Sequence, residues 1–364
     1  AFIPCRPGRA MRDSMNDATP TDSVIRWLGN GWLRAALLAM VLSTIYGAPA
    51  WQADYVHDDN PALLENGHVR WPPPLQEIFS SPYFGTQKGF LTQGLIRPLV
   101  TLSFAAEIPA GLDTARSRHL VQLVLYWLVC LLVATLAGRI ARALAASQRR
   151  AVLFAWAAAL LFAIHPIHAE VVMAIAYRPD LLALLMLLPA TIALLDLDEQ
   201  RAPGKLRLAF IPLLFGLSLL CKESAMAILG PWLLWSLFRR QNRGRVLAVI
   251  GSCLVVGLLY IAWRTQALGG LLVAHIPLND NPLAHVSLGQ RLVGAGALIW
   301  HALCQLLWPS TIAPDYTFDA LPMIEMGGWR ALCGGVVLIA LCGLLVKDAR
   351  RALVTAGGAG HDHR

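Results

Sequence analysis

The chain has 364 residues, of which 57% are apolar and only 14% are charged, and its mean hydropathy is +0.56. An average soluble domain carries about 25% charged residues, so this composition excludes a disordered chain and argues against an ordinary soluble enzyme. The net charge of +8 comes largely from arginines at the ends of apolar runs, where membrane anchors lie, so we expect no nucleic-acid partner.

The seven cysteines have no zinc-type spacing, and most of them lie inside apolar runs. Cysteine in such runs packs as a small hydrophobic residue, whereas structural zinc sites need paired ligands at short spacing. We therefore expect neither a metal site nor a disulfide framework from these residues.

Residues 1–31 form a polar, arginine-rich N-terminal segment in which no cleavable signal sequence is evident. The first apolar run follows at 32–51, and Arg26 and Arg34 lie on its N-terminal side. Because basic residues favour the cytoplasmic side of a membrane, we expect this run to cross from the inside to the outside.

A long polar stretch, 52–118, separates the first apolar run from the second. A loop of this length between membrane spans usually carries function. Its part 95–112 is moderately apolar but is interrupted by Arg97 and Glu107, which predicts a helix in the membrane interface rather than a crossing. The sequence therefore predicts a large first outer loop.

Further apolar runs alternate with arginine and lysine clusters, and each cluster marks a cytoplasmic end. If the last two runs both cross, the basic residues after them finish outside. A re-entrant or interfacial helix at 292–307 puts them inside, and we prefer this interpretation on the charge argument. The pattern predicts an all-α polytopic membrane protein with about eight or nine membrane helices, one membrane domain at 32–347 and a flexible tail at 348–364. The further runs lie at 120–136, 152–164, 181–195, 208–220, 225–238, 246–263, 292–307 and 331–346.

Ionisable residues cluster at the predicted outer ends of these spans. Such a group at membrane depth costs about 2.5 kcal/mol or more unless it is paired, so these residues must pair or line an aqueous cavity. The pattern predicts an outward-facing polar chamber that contains both carboxylates and cations. Its candidate members are Asp58, Asp59, Arg97, His165, His168, Glu170, Arg178, Asp180, Lys222 and Glu223.

The acid pair in the first outer loop, Asp58 and Asp59, follows His57 and precedes Asn60. One interpretation is a carboxylate general base with a supporting neighbour. The other is a turn that an aspartate side chain caps.

The two histidines that follow the third run, His165 and His168, lie three residues apart with Glu170 nearby. This arrangement suggests a metal ion, but Pro166 interrupts a helix between them and no third ligand has suitable spacing. Hydrogen bonds and phosphate contacts are the preferred interpretation.

The remaining charged residues form two short groups. Arg178 and Asp180 are either a simple interfacial ion pair or part of the chamber. Lys222 and Glu223 are adjacent, so on a helix they point about 100° apart and each needs another partner. A lipid-linked phosphate is a suitable partner for Lys222.

Seven segments of the chain carry a family resemblance: Y-V-H-D-D-N-P-A-L-L-E-N (55–66), R-P-L-V-T-L-S-F (97–104), H-L-V-Q-L-V-L-Y (119–126), F-A-I-H-P-I-H-A-E-V-V with R-P-D-L-L-A (162–183), L-L-C-K-E-S-A (219–225), D-N-P (280–282) and W-P-S-T-I-A-P-D-Y-T-F-D-A-L-P (308–322). In this order and spacing they resemble the GT-C superfamily of polyprenyl-phosphate-sugar-dependent glycosyltransferases. The nearest match is the family of transmembrane, TPR-containing O-mannosyltransferases with its bacterial relatives. Each segment alone is weak evidence, but together they cover about 50–330.

The resemblance implies transfer of a sugar, mannose in the eukaryotic members, from a polyprenyl phosphate to a Ser or Thr hydroxyl of a protein, with inversion at the anomeric carbon. It implies no metal and no cofactor, because the lipid-linked sugar is a co-substrate. We expect a bacterial inner membrane with the site facing the periplasm. The implied roles are catalytic for Asp58 and Asp59, with Asp58 preferred as the base, phosphate-binding for Arg97, His165, His168, Arg178 and Lys222, and supporting for Glu170, Asp180 and Glu223.

Family members usually continue with further spans and a TPR array, neither of which this chain contains before its last residue, Arg364. We therefore expect either a fragment or a compact relative whose acceptor is a protein or an envelope glycan. One alternative is a transporter or flippase of a lipid-linked glycan, which would not need the acid pair. The other is a non-catalytic truncated relative, whose biological effect would survive Asp58→Asn and Asp59→Asn.

Overall fold

The computed structural model describes residues 29–85, 94–199, 205–238, 242–270, 282–309, 328–340 and 343. The regular structure of these residues is entirely helical. The predictions for most of the N-terminal segment, for the tail at 348–364 and for most of the 308–322 motif lie outside them.

Ten helices of ten or more residues account for most of the described chain. They coincide with the predicted apolar runs and with the predicted interfacial helix, and most differ from the predictions by a few residues at the ends. The helices are α1 (Gly31–Gln52), α2 (Pro98–Glu107), α3 (Ala115–Ala143), α4 (Gln148–Ile164), α5 (Arg178–Glu199), α6 (Lys205–Leu219), α7 (Leu229–Phe238), α8 (Arg243–Leu268), α9 (Leu288–Leu307) and α10 (Trp329–Ala340).

The helix boundaries follow from local capping chemistry. Pro98 opens α2, where a missing backbone N–H costs nothing. Thr114 and Ser117 form a reciprocal capping box at the start of α3. The Ser147 side chain accepts the Arg150 N–H at the start of α4. Each of these residues satisfies or removes donors that the first helical turn leaves without partners.

The number of membrane spans differs from the prediction. Among the described residues, four helices are long and apolar enough to cross: α1, α3, the α5 region from Ile175, and α8. A fifth results if α4 and the short helix after it, bent by 53°, form one span. The structure therefore supports a helical membrane protein but not eight or nine spans in the described chain. The reason is length, since the ten residues of α7 reach about 15 Å, half of the hydrocarbon core of about 30 Å.

The two helices that the sequence assigned to the interface are short or lack the composition of a span. The interfacial helix predicted within 95–112 is α2, with ten residues. Neither α2 nor α9 is among the candidate spans of the described chain, and the interfacial interpretation of 292–307 stays a prediction.

Three apolar clusters hold the described helices together. One packs α5, α6, α7 and α8 around Phe215 and Trp232, and a second packs α1, α3 and α4 around Tyr126. The third lies at one end of the bundle, where Tyr83 and Phe104 pack under the first loop. This third cluster supports the polar residues described below.

Candidate active site

The site lies at one end of the helix bundle, where three segments meet. They are the turn 53–59 after α1, residues 174–180 at the start of α5, and residues 220–223 after α6. The Leu99 N–H of α2 donates to the Leu220 carbonyl at 3.4 Å, and Arg264 at the end of α8 donates to the Gly94 carbonyl at 2.6 Å. The predicted convergence of the first-loop acids with Arg97, Arg178, Asp180, Lys222 and Glu223 is therefore present.

Asp59 is fully buried and bound to main-chain groups. Its Oδ1 accepts the Ala176 N–H at 2.7 Å and its Oδ2 accepts the Val56 N–H at 3.0 Å. Burial raises the pKa of Asp59 above its usual range, although these two N–H donors act in the opposite direction. Asp59 thus ties the first loop to the start of α5, and a solvent-borne substrate does not reach it.

Asp58, in contrast, is half-buried, and no hydrogen bond or ion pair engages its carboxylate within the described ranges. Its main-chain carbonyl accepts the Ala62 N–H at 3.0 Å. The preceding residue, His57, has a φ of 43°, a left-handed conformation that is uncommon outside glycine. With Asp59 fully buried, Asp58 is therefore the more accessible carboxylate of the pair.

Tyr83 lies between the acid pair and Arg97. Its hydroxyl donates to the Ala176 carbonyl at 3.1 Å, and the Arg97 guanidinium lies 5.2 Å from its ring centroid. Burial raises the pKa of Tyr83, so the phenol stays protonated. Tyr83 therefore packs against Arg97 as a protonated side chain and does not act as a second base.

Arg97 also pairs with Glu223, as NH2 of the arginine lies 3.4 Å from Oε1 of the glutamate. The Arg97 Nε and the Glu223 Oε2 are buried and have no hydrogen-bond partner among the described residues. A buried charged group with spare hydrogen-bonding capacity is costly. This pair therefore has capacity to bind a further polar group.

Lys222 and Asp180 form a short, partly exposed ion pair. The Lys222 Nζ lies 2.6 Å and 2.7 Å from the two Asp180 carboxylate oxygens. Both side chains are about a quarter exposed and lie at the mouth of a cleft of about 340 Å³. The rest of its lining is almost entirely apolar: Ala183, Leu184, Leu187, Ser224, Ala225, Ala227, Ile228 and Pro231. A cation at the mouth of an apolar cleft suits an amphiphile with an anionic head.

Arg178 does not pair with Asp180, so the alternative of an interfacial Arg178–Asp180 ion pair is wrong. Its side chain is 1% exposed, and its NH1 lies 2.6 Å from Oε1 of Glu107. The other Glu107 oxygen accepts from Arg118 Nε at 3.1 Å. The physical reason is helix packing. The end of α2 places Glu107 next to Arg178, and the end of α6 places Lys222 next to Asp180.

The histidines lie apart from these ion pairs. The His165 Nε2 lies 3.0 Å from the Leu306 carbonyl and its Nδ1 accepts the Ile167 N–H at 3.2 Å. The His168 ring packs against Phe162, with 4.1 Å between centroids and the two rings tilted by 36°. Within the described chain, no hydrogen bond joins either histidine to the acid pair or to Lys222, and no His, Cys, Asp or Glu group has the arrangement of a metal site. Glu170 lies on the short helix that follows.

Sequence reasoning missed Glu107, Arg118 and Tyr83 as parts of this end of the bundle. A signal was present for Glu107, since a carboxylate inside an apolar helix needs a partner. The sequence does not say which partner, and for Tyr83 it carries no comparable signal.

Comparison with known proteins identifies a family of similar chains. Protein O-mannosyl-transferase Tmtc2 of Drosophila melanogaster is 32% identical over 290 residues, covering 75% of this chain and 29% of the relative. Protein O-mannosyl-transferase TMTC2 of Mus musculus is 28% identical over 341 residues, covering 84% of this chain and 38% of the relative. No family model matches the chain, and no solved structure matches it.

The chain thus spans about a third of the length of the curated relatives it matches. Over about three quarters of its own residues it is similar to proteins named as O-mannosyl-transferases. The resemblance that the seven motifs predict is confirmed.

Proposed function

We propose that this chain is a membrane glycosyltransferase that moves mannose or another hexose from a polyprenyl-phosphate carrier to a hydroxyl acceptor. The acceptor is a protein Ser or Thr, or an envelope glycan. The observation that carries the proposal is the half-buried Asp58 carboxylate, which has no partner among the described residues, at the same end of the bundle as the apolar cleft that Lys222 lines. The similarity to protein O-mannosyl-transferases supports sugar transfer as the reaction.

The donor lies with its polyprenyl chain in the apolar cleft and its phosphate at Lys222. A charge-assisted hydrogen bond from an ammonium to a phosphate is among the stronger contacts that a side chain makes. Arg97 is the second cation that we assign to the phosphate, because its Nε has no hydrogen-bond partner among the described residues. Arg178 is buried against Glu107, so we assign it a supporting role, and His165 and His168 assist from the neighbouring segment.

The reaction is a single displacement at the anomeric carbon. Asp58 accepts the proton of the acceptor hydroxyl as that oxygen forms its bond to the sugar. The bond from the anomeric carbon to the phosphate oxygen breaks, and its electron pair leaves with the polyprenyl phosphate. Lys222 and Arg97 stabilise the charge of the leaving phosphate. The configuration inverts, and no metal or cofactor takes part.

The proposed setting is a bacterial inner membrane with the site on the periplasmic side. Arg139 of α3 pairs with Asp196 of α5 at the opposite end of the bundle, and this arginine-rich end suits the cytoplasm. We also propose that α6 and α7, although short, cross between these two ends with their neighbours, in an arrangement like that of the GT-C superfamily.

Transfer of a labelled sugar in liposomes tests the proposed function. Polyprenyl-phosphate [³H]mannose would be the donor and a membrane extract the acceptor, and the product would be separated into protein and glycan fractions. We expect label in one of the fractions for the wild-type chain. Label that crosses the liposome membrane without joining an acceptor would contradict the proposal and favour a lipid-linked glycan transporter.

Two variants of the cleft are expected to change donor binding in opposite directions. Lys222→Ala should raise KM for the donor by about 10- to 100-fold, since a hydrogen bond to a charged group contributes about 1.5–3 kcal/mol. Asp180→Asn should lower KM, because the phosphate no longer competes with a carboxylate for Lys222. Initial rates against donor concentration measure both effects. Equal KM values in all three proteins would show that the pair is structural only.

A further inference from the structure

We propose that Glu107 is a positioning residue for Asp58, and that its carboxylate fixes the Asp58 turn from two directions. The inference rests on the proposed function, in which Asp58 is the general base. Glu107 lies at the last position of α2 and does not contact the acid pair through a hydrogen bond among the described residues. Its effect is transmitted through two arginines.

The first connection runs through Arg178. Glu107 Oε1 accepts from Arg178 NH1 at 2.6 Å, which holds the first residue of α5 in place. Two residues earlier, the Ala176 N–H donates to Asp59 Oδ1 at 2.7 Å. Asp59 in turn holds the Val56 N–H at 3.0 Å. The turn that contains Asp58 is therefore closed by a contact that depends on the position of the start of α5.

The second connection runs through Arg118. Glu107 Oε2 accepts from Arg118 Nε at 3.1 Å, and Arg118 NH1 donates to the Tyr55 hydroxyl at 3.4 Å. The same hydroxyl donates to the Asp113 carbonyl at 3.0 Å. Tyr55 lies three residues before Asp58. The Glu107 carboxylate thus constrains two segments. One is the segment around Tyr55 that leads into the turn, and the other is the start of α5, against which the turn closes.

The burial of this network argues for a positional role. Glu107, Arg118 and Arg178 are 6%, 4% and 1% exposed, so two buried guanidinium groups share one carboxylate. Buried ion groups often stabilise a protein less than apolar side chains of the same volume would. Their geometry, in contrast, is specific, because each oxygen of Glu107 has one partner at a fixed direction. We infer that what the network supplies is the placement of Asp58.

The test is the effect of Glu107→Gln on kcat and on KM, in liposomes with the full chain. Misplacement of a reacting group by about 1 Å can cost about 100-fold in rate, so we expect kcat to fall by about 10- to 100-fold with KM for the donor unchanged. In an Asp58→Asn background, Glu107→Gln should have no further effect on kcat. Glu65→Gln is the matched control, since it makes the same charge change at an exposed acid of the same loop.

Arg118→Lys keeps the protein testable if Glu107→Gln does not fold. Lysine retains the charge next to Glu107 but has no second nitrogen to reach Tyr55 at the same time. Amide hydrogen exchange of the peptide 53–60 measures how well the hydrogen bonds of the turn are protected. We expect faster exchange of this peptide in either variant and an unchanged exchange rate in α8. Unaltered exchange at 53–60, or a kcat loss that adds fully to that of Asp58→Asn, would overturn the inference.

The two proposals fail in different ways. If the wild-type chain transfers no sugar, the proposed function fails, whereas the exchange rates at 53–60 still decide whether Glu107 positions the turn. If the wild-type chain transfers sugar and Glu107→Gln does so at the same kcat, only the positioning role is overturned.

Discussion

Asp58→Asn is expected to lower kcat for sugar transfer by about 10²- to 10⁴-fold, the contribution of a positioned general base. Asparagine has nearly the same shape but does not accept the proton of the acceptor hydroxyl. Because no hydrogen bond or ion pair engages the Asp58 carboxylate within the described ranges, the fold does not depend on its charge. Single-turnover rates with saturating donor, compared with the thermal unfolding midpoint in detergent, measure the two quantities separately.

Glu65→Gln is the matched control for this variant. Glu65 is an exposed acid of the same loop, seven residues later, and its neutralisation should leave kcat unchanged. A wild-type rate for Asp58→Asn would remove Asp58 from the mechanism. A rate loss that parallels a fall in the unfolding midpoint would instead assign Asp58 a structural role.

Asp59→Ala is expected to lower the free energy of unfolding by about 1–3 kcal/mol. The change leaves the buried Ala176 N–H without its acceptor, and a buried donor without a partner costs about that much, whereas the Val56 N–H is only part-buried. Denaturant titration in detergent, with the slope compared between variants, measures the difference. Activity should fall as well, since the turn that carries Asp58 loses its closing contact.

Asp54→Ala is the control for the second variant, because the Asp54 Oδ1 also accepts a main-chain N–H, that of Tyr55 at 2.8 Å, but is exposed. Water replaces such an acceptor, so we expect a change within about 0.5 kcal/mol. If Asp59→Ala and the wild-type chain were equally stable, the buried Asp59 carboxylate would not stabilise the contact between the first loop and the start of α5. Together the four variants separate a kinetic from a structural role within one acidic pair.

The helices and the end of the bundle at which the polar residues converge were predictable from the sequence. Apolar runs bounded by arginines determine where helices form, and their alternation determines which ends share a side of the membrane. Lys222 was predicted to need a partner other than Glu223, and the structure supplies Asp180 at 2.6 Å. These inferences needed only local pattern and charge.

The identity of the partners was not predictable in the same way. Arg178 and Asp180 are two residues apart, yet each pairs with a residue from another helix, Glu107 and Lys222. Such pairings depend on how helices rotate and pack, which a single sequence does not encode in its local pattern. The described residues contain fewer candidate spans than the apolar runs predict, since an apolar run does not reveal how many of its residues are helical, and α7 as described has ten.

The acid pair shows both what a local pattern predicts and what depends on packing. Asp58 and Asp59 are adjacent and chemically identical, and the two interpretations of the pair, a base and a capped turn, were left open. In the structure the capped-turn interpretation describes Asp59, whereas a base at Asp58 stays a proposal. Asp59 binds the turn through Val56, while the Asp58 side chain is half-buried. The distinction arises from Ala176, which is 117 residues away from Asp59 in the chain.

The contact between Arg264 and the Gly94 carbonyl has a consequence for biosynthesis. A ribosome that adds about 5–20 residues per second reaches Arg264 about 10–40 s after Asp58. For much of this interval Asp59 and Arg97 lack the later partners that the structure gives them, the Ala176 N–H and Glu223. A charge at membrane depth is costly without a partner, so we expect these groups to stay in water until the later helices assemble. A chain released from the ribosome before α8 would display these groups without assembling them.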